Sequence, residues 1–162
     1  MKQEVANLLS QQFNHEIYSA YIYLGFSHFY ARLGLSGFQH WFYMQATEEL
    51  SHAEEFLHYL EDSGECVKFD EIKKIEYEPN KLVDPLHAAL GHEKYITSLI
   101  NTIYYEAEAE HDYRTMQFLD RFIAEQREEE KSAAALLSEA TMLSEDTAGL
   151  YMLDRRLAER KN

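Results

Sequence analysis

The sequence predicts an all-α chain: a four-helix bundle with one long crossover between helices two and three, plus a short C-terminal fifth helix. Three observations carry that prediction. Only 6 Gly and 2 Pro occur among 162 residues, too few for a domain full of tight turns. Apolar residues recur at three- and four-residue spacing over four long stretches, the period of an amphipathic helix. Between the second and third stretches, over residues 64–83, that period disappears.

The first helix is predicted over 3–32 from Val5, Leu8, Leu9, Phe13, Ala20 and Leu24, and it ends at Gly34. Ser36 stands where a side chain could cap the second helix, which runs to about Ser63 with Gly64 just past its end. Asp84-Pro85 pairs a capping side chain with proline at the first helical position, opening a third helix to about Glu110. Asp112 is placed to cap a fourth, reaching about Leu143. Ser144 then opens a short segment, EDTAGLYMLDRRLAER. A single domain of residues 1–162 is expected, with the bundle over about 3–143 and the short helix over about 145–160.

Connection lengths set the topology. The links near 33–36 and 111–112 are short enough to demand antiparallel neighbours. The segment 64–83 differs: about 20 residues at roughly 3.3 Å each reach about 65 Å. The second helix, at 1.5 Å per residue, is only about 42 Å long. The link can therefore run the length of the bundle and make helices two and three parallel.

Bulk composition excludes several classes of function. With 29 acidic against 15 basic side chains, the formal charge is −14. That disfavours nucleic acid and anionic membranes as partners and suits cations. The single cysteine, Cys66, allows neither an intramolecular disulfide nor a four-thiolate metal centre. The opening MKQEVANLLSQQFNHEIYS has no apolar core of a signal peptide. No apolar run approaches the roughly 20 residues of a membrane span. A cytoplasmic protein is the expectation.

Each long helix carries one anomaly, a glutamate on its apolar stripe. Glu16 has Leu9, Phe13, Ala20 and Leu24 at helical spacing; Glu49 has Phe42, Ala46, Ala53, Phe56 and Leu57. Glu93 is set among Leu86, Ala89, Leu90, Ile96 and Ile100, and Glu129 among Phe122, Ala133, Leu136 and Leu137. His52 follows Glu49 by three residues on the same face. All four glutamates lie in the middle of their helices, so aligned packing brings them to one level. Burying several carboxylates without compensation costs several kcal/mol per charge. A cation relieves that cost, and oxygen-rich ligation with one imidazole suits iron, manganese or zinc. Glu49-x-x-His52 is one half of the di-iron bundle pattern. Glu129 is followed at the equivalent place by Ser132, so the two metal positions are expected to be unequal.

The stretches NHEIYSAYIY (14–23), ATEELSHAEEF (46–56), GHEKYI (91–96) and AEQREEEKS (124–132) together resemble the four helix motifs of bacterial non-haem ferritins. The haem-containing bacterioferritins differ. They carry a symmetric pair of histidines, and their haem-ligating methionine falls at Leu50, which cannot ligate iron; no haem is expected. The resemblance implies a di-iron ferroxidase centre that oxidises Fe(II) with O2 or hydrogen peroxide and stores ferric mineral in a hollow homo-oligomeric shell. The shell is expected to be a 24-mer with octahedral symmetry. By that resemblance Glu16, Glu49 and His52 hold the first iron, with Glu49 bridging to a second held by Glu93 and Glu129. A third iron position corresponds to Glu48, Glu125 and Glu128, with Glu129 shared. Gln126 matches a glutamine near the second iron. Tyr23 matches a tyrosine close to the centre, which supplies either an extra electron or only a hydrogen bond.

The run Glu106, Glu108, Glu110, His111, Asp112 places acid at a helix C-terminus, where it is electrostatically unfavourable. The resemblance puts this corner, with Gln117 and Asp120, at a three-fold channel, and the fifth helix at a four-fold axis. The remaining histidines, His15, His28, His40, His58, His87, His92 and His111, are expected to pack or face solvent, and Cys66 to be incidental. The 12 Tyr and 9 Phe exceed the needs of one bundle core and point to subunit interfaces. Two other classes stand beside iron storage: a rubrerythrin-like peroxidase, whose four-cysteine domain one Cys cannot build, and a metal-free helical oligomer. Deleting residues 145–162 is expected to leave a folded bundle while weakening the shell or its iron retention. Circular dichroism and light scattering would check this, and loss of all helix content would contradict it.

Overall fold

The computed structural model describes residues 1–161. Five helices follow one another: α1 (Gln3–Arg32), α2 (Ser36–Asp62), α3 (Asp84–Ala109), α4 (Tyr113–Met142) and α5 (Thr147–Leu157). Among the described residues, no helix is long and apolar enough to cross a membrane.

Side chains of α1 to α4 build two apolar clusters, one near each end of the bundle. The first joins Val5, Leu9 and Phe13 to Phe56 and Leu60, to Ile100 and Ala107, and to Leu119 and Phe122. The second joins Phe26 and Tyr30 to Phe38 and Phe42, to Leu86 and Ala89, and to Leu136 and Ala140. The start of α2 thus shares an end with the start of α3, and their C-terminal halves share the other. The two helices are parallel, and the crossover travels the whole length: Val67 packs on the first cluster, Leu82 and Val83 on the second.

Hydrogen bonds fasten this crossover to α1. Lys68 N–H donates to Ser10 Oγ (2.9 Å) and Asp70 N–H to Asn14 Oδ1 (3.0 Å), while Asn14 Nδ2 donates to the Lys68 carbonyl (2.7 Å). Further along, Tyr30 Oη donates to the Leu82 carbonyl at 2.6 Å.

Helix ends follow the expected punctuation with three differences. Gly34 and Gly64 take φ of 75° and 74°, the left-handed stop that glycine adopts at least cost. His111 makes the same turn at φ 56° without being glycine. Asp112 caps α4, accepting the Thr115 N–H at 3.2 Å. Ser36, however, does not cap α2; it is the first helical residue, and the preceding Leu35 offers no capping side chain. Asp84 does not cap α3 either. Its carboxylate turns back to accept N–H groups of Asn80 (2.9 Å) and Lys81 (2.7 Å), tightening the turn before the helix. The third difference is at α5, which begins at Thr147 rather than near Ser144, with Asp146 as its cap.

The missing cap of α2 comes from α5. Asp154 Oδ1 accepts the N–H groups of Gly37 (2.8 Å) and Phe38 (3.0 Å), and the Asp154 side chain is buried. This approach requires glycine at 37, because a Cβ there would lie 1.6 Å from the Asp154 carbonyl oxygen. Leu153 and Leu157 of α5 enter the second apolar cluster. Among expected core neighbours, Leu24 is exposed. Replacing Asp154 with Ala is expected to lower stability by about 1–2 kcal/mol, and with Asn by less, since an acceptor remains. Urea unfolding measures both; an unchanged midpoint for Asp154→Ala would remove the cap from the account.

Candidate metal centre

Between the two apolar clusters lies a polar layer. Glu16, Glu49, His52, Glu93 and Gln126 are all buried there, and Glu129 is half-buried. Their helical neighbours, Phe13 and Ala20, Ala46 and Ala53, Ala89 and Ile96, Phe122 and Ala133, are themselves buried. The glutamates therefore face inward because the flanking apolar residues orient each helix.

Glu16, Glu49 and His52 bring one donor atom each to within 4.8 Å of one another. His52 Nδ1 lies 3.3 Å from Glu49 Oε2. On the opposite side, Glu93 accepts hydrogen bonds from Tyr23 Oη and from Gln126 Nε2 (3.1 Å). Glu129 Oε2 accepts from Gln45 Nε2 at 2.9 Å. Tyr23 packs against Phe42 and meets the His92 ring edge-on, with centroids 5.8 Å apart.

Electrostatics show a site short of positive charge. Burial, then the neighbouring Glu49 carboxylate, pushes the Glu16 carboxyl well above its usual range. Burial raises Glu93 to about 7, with Glu129 adding to the shift. Glu49 and Glu129 also rise, chiefly through burial. For His52 burial alone would favour the neutral ring, but Glu125 and Glu49 outweigh it and hold the imidazolium up to about 11. Protons thus stand in for cations. Among the described residues one buried side-chain atom remains unsatisfied: Glu16 Oε2 has no hydrogen-bond partner. A buried, unpartnered carboxylate oxygen beside a second carboxylate and an imidazole fits a metal ligand. A divalent cation there would displace protons from Glu16 and His52.

Tyr23, buried and facing Glu93, has its phenol pushed well above the normal range by burial and stays protonated. Of the other histidines, His92 is driven down to about 4 by burial and pairs with Ser19 Oγ at 2.7 Å. His40 binds the Arg160 carbonyl at 2.9 Å, while His28, His58, His87 and His111 are exposed.

A second donor group stands just outside the layer. Glu48, His52 and Glu125 converge at the wall of a cavity of about 410 Å³ between α2, α4 and the C-terminal tail. Glu128 does not join them. It is exposed, with its carboxylate beside Arg127 (3.2 Å) and Lys131 (3.6 Å). Leu50 is exposed as well.

Sequence reasoning overlooked Gln12 and Gln45. Both are buried, and each lies four residues before an inward glutamate, so the apolar stripe that revealed Glu16 and Glu49 contained them too. Gln12 Nε2 donates to Glu16 Oε1 at 2.6 Å and positions it. Arg160 was overlooked as well, and no pattern in the sequence marks it.

Comparison with known proteins agrees with this fold. A family model for the ferritin-like domain matches residues 6–143. The chain is 32% identical over 155 residues to a bacterial non-heme ferritin of Campylobacter jejuni, covering 96% of this chain and 93% of that one. A bacterial non-heme ferritin of Bacteroides fragilis is 31% identical over 163 residues, with 99% of both chains covered. Among solved structures, an open pore ferritin from the hyperthermophilic archaeon Archaeoglobus fulgidus superposes with a TM-score of 0.96 at 32% identity, covering 99% of each chain.

The raised Glu16 pKa makes the metal-free protein sensitive to pH. Above the ordinary carboxyl value of 4.5, native Glu16 keeps a proton that the unfolded chain has released. Its contribution to stability therefore falls as pH rises through that window. Glu16→Gln cannot ionise. The variant is expected to match the parent near pH 4.5 and to exceed it increasingly as pH rises toward 8. Urea unfolding of metal-free protein at both pH values checks this, and parallel pH profiles would contradict it.

Proposed function

The chain belongs to the ferritin family, and on that premise we propose that it stores iron, oxidising Fe(II) at the buried centre and holding ferric mineral in a shell of identical chains. The observation that carries this reading is the convergence of donor atoms of Glu16, Glu49 and His52 within 4.8 Å of one another, with Glu93 of α3 buried close enough to raise the Glu49 carboxyl and Glu16 Oε2 left unpartnered.

In this proposal two Fe(II) ions are substrates. Glu16 and His52 would hold one, Glu93 and Glu129 the other, and Glu49 would bridge the two. Each ion gives up one electron. The pair reduces O2 with two protons to hydrogen peroxide, or peroxide with two protons to two waters. Carboxylates are hard oxygen donors and favour the Fe(III) product. Gln12, Gln45 and Gln126 hold the carboxylate oxygens in place by donating to them. Tyr23 fixes Glu93 through its hydrogen bond. Apolar clusters on both sides keep bulk water out of the layer. An outer position at Glu48 and Glu125, extended by Glu128 only if that side chain leaves Arg127 and Lys131, would receive a third ion. The oxidised ions then leave for the mineral.

Assembly belongs to the same proposal, as a 24-mer with octahedral symmetry in the cytoplasm. Supporting it, Tyr21, Tyr43, Phe69, Tyr105 and Tyr151 are all exposed on a single chain, more aromatic surface than a lone bundle ordinarily leaves in water. Glu108, Glu110, Gln117 and Asp120 are exposed at the acidic corner, where a ring of copies would give a cation-attracting opening.

Aerobic addition of Fe(II), followed by sizing, is the direct test and is expected to yield a large iron-loaded particle. Stopped-flow absorbance should show a fast oxidation phase. Glu49→Ala is expected to abolish that phase, and Glu48→Ala to leave most of it, because only Glu49 reaches both ions. A fast phase that survives in Glu49→Ala would refute the bridging role.

A further inference from the structure

The cavity beside the outer donor group is where the buried centre meets solvent between α2 and α4. A route for cations would ordinarily be lined by unopposed acid. This one is not. Its walls carry Glu48, Glu55 and Glu125, but also Arg121, Arg160 and Lys161. Arg121 Nη2 binds Glu55 at 2.7 Å and approaches Glu125 at 3.7 Å.

Arg160 is the more deeply placed of the two arginines, with 22% of its side chain exposed, and its Nη2 donates to Glu48 Oε2 at 2.9 Å. Its guanidinium lies 4.9 Å from the centre of the Trp41 ring, and Nη1 donates to the Trp41 carbonyl at 3.3 Å. His40 Nε2 holds the Arg160 backbone carbonyl at 2.9 Å. The residue follows α5, which is itself locked to α2 through Asp154. The tail therefore delivers a permanent cation to one of the carboxylates that would hold a third metal. A guanidinium cannot lose its charge at any physiological pH, so it yields this carboxylate only by moving.

We propose that Arg160 is a tethered counter-cation of the outer site: a divalent metal binds between Glu48 and Glu125 only after displacing it, so Arg160 sets the affinity of that position. The proposal rests on the di-iron reading of the inner site. It makes Arg160 a positioning residue, one that acts on metal through Glu48. The chain thus supplies its own competitor for the outer carboxylates, held by the Trp41 ring and by three hydrogen bonds, to Glu48, the Trp41 carbonyl and His40.

The test is calorimetric titration of the metal-free protein with Zn(II), which binds without redox chemistry. Arg160→Ala is expected to tighten an outer Zn(II) position by about tenfold, the equivalent of one charge-assisted hydrogen bond, and to change the inner positions much less, through the weaker field at Glu129. Adding Glu48→Gln to this variant is expected to abolish the gain. Arg160→Lys keeps the charge and is expected to bind as the parent does, or slightly tighter. Outer affinity equal in parent and Arg160→Ala, or a gain that persists with Glu48→Gln, would overturn the proposal. Absence of tight inner Zn(II) in every variant would instead overturn the di-iron reading. The change at Glu48 would still decide the role of Arg160. Circular dichroism of Arg160→Ala, with helix content unchanged, separates this effect from a loss of the α5 contact.

Discussion

Four carboxylates held at one level of a helical bundle are the constraint on which the rest of the structure depends. Glu16, Glu49 and Glu93 lie in surroundings that disfavour their charge, and each is pushed toward the protonated form for that reason. Removing any of these groups would relieve strain in the metal-free chain, yet the polar layer persists because the apolar clusters above and below supply most of the cohesion. Stability and function are thus divided along the bundle axis. The two ends are packed with aromatic and aliphatic side chains, and the middle is left electrostatically unsatisfied. In the proposed function a cation completes it.

That division is maintained by side chains that never touch a metal in the proposed mechanism. Gln12, Gln45 and Gln126 donate to one oxygen each of Glu16, Glu129 and Glu93, while Tyr23 takes the second oxygen of Glu93. Glu16 is left with one oxygen bonded to Gln12 and the other with no partner. The C-terminal helix extends the same logic outward. Through Asp154 it supplies the cap that α2 lacks, and through Arg160 it places a charge against Glu48. A segment that reads as an appendage in the sequence is bonded into the bundle at two points.

Much of the fold was legible because helix periodicity is a local property. Gly34, Gly64 and Asp112 act where the sequence puts them, since a left-handed stop or a cap depends only on the few residues around it. The length of the crossover allowed α2 and α3 to be parallel, because reach is set by chain geometry. Where the reading erred, the competing interaction was either nearby and equivalent or distant. Asp84 had two sets of N–H groups within reach and took the earlier one. Ser36 was displaced as a cap by a carboxylate more than a hundred residues away, which no local pattern announces.

The sequence alone determined which faces of the long helices are buried and, through them, that carboxylates and one imidazole must share the interior. Burial periodicity is written into every turn, and an acid on an apolar stripe has nowhere else to point. Only the tertiary structure decided how those groups divide. It set Glu16, Glu49 and His52 within reach of one another, bound Glu93 to Tyr23 and Gln126, and turned Glu128 away toward Arg127 and Lys131. It also brought Arg160 onto Glu48. Those choices depend on helix rotation and on contacts between segments far apart in the chain, where differences of an ångström decide which oxygen is free and which is paired.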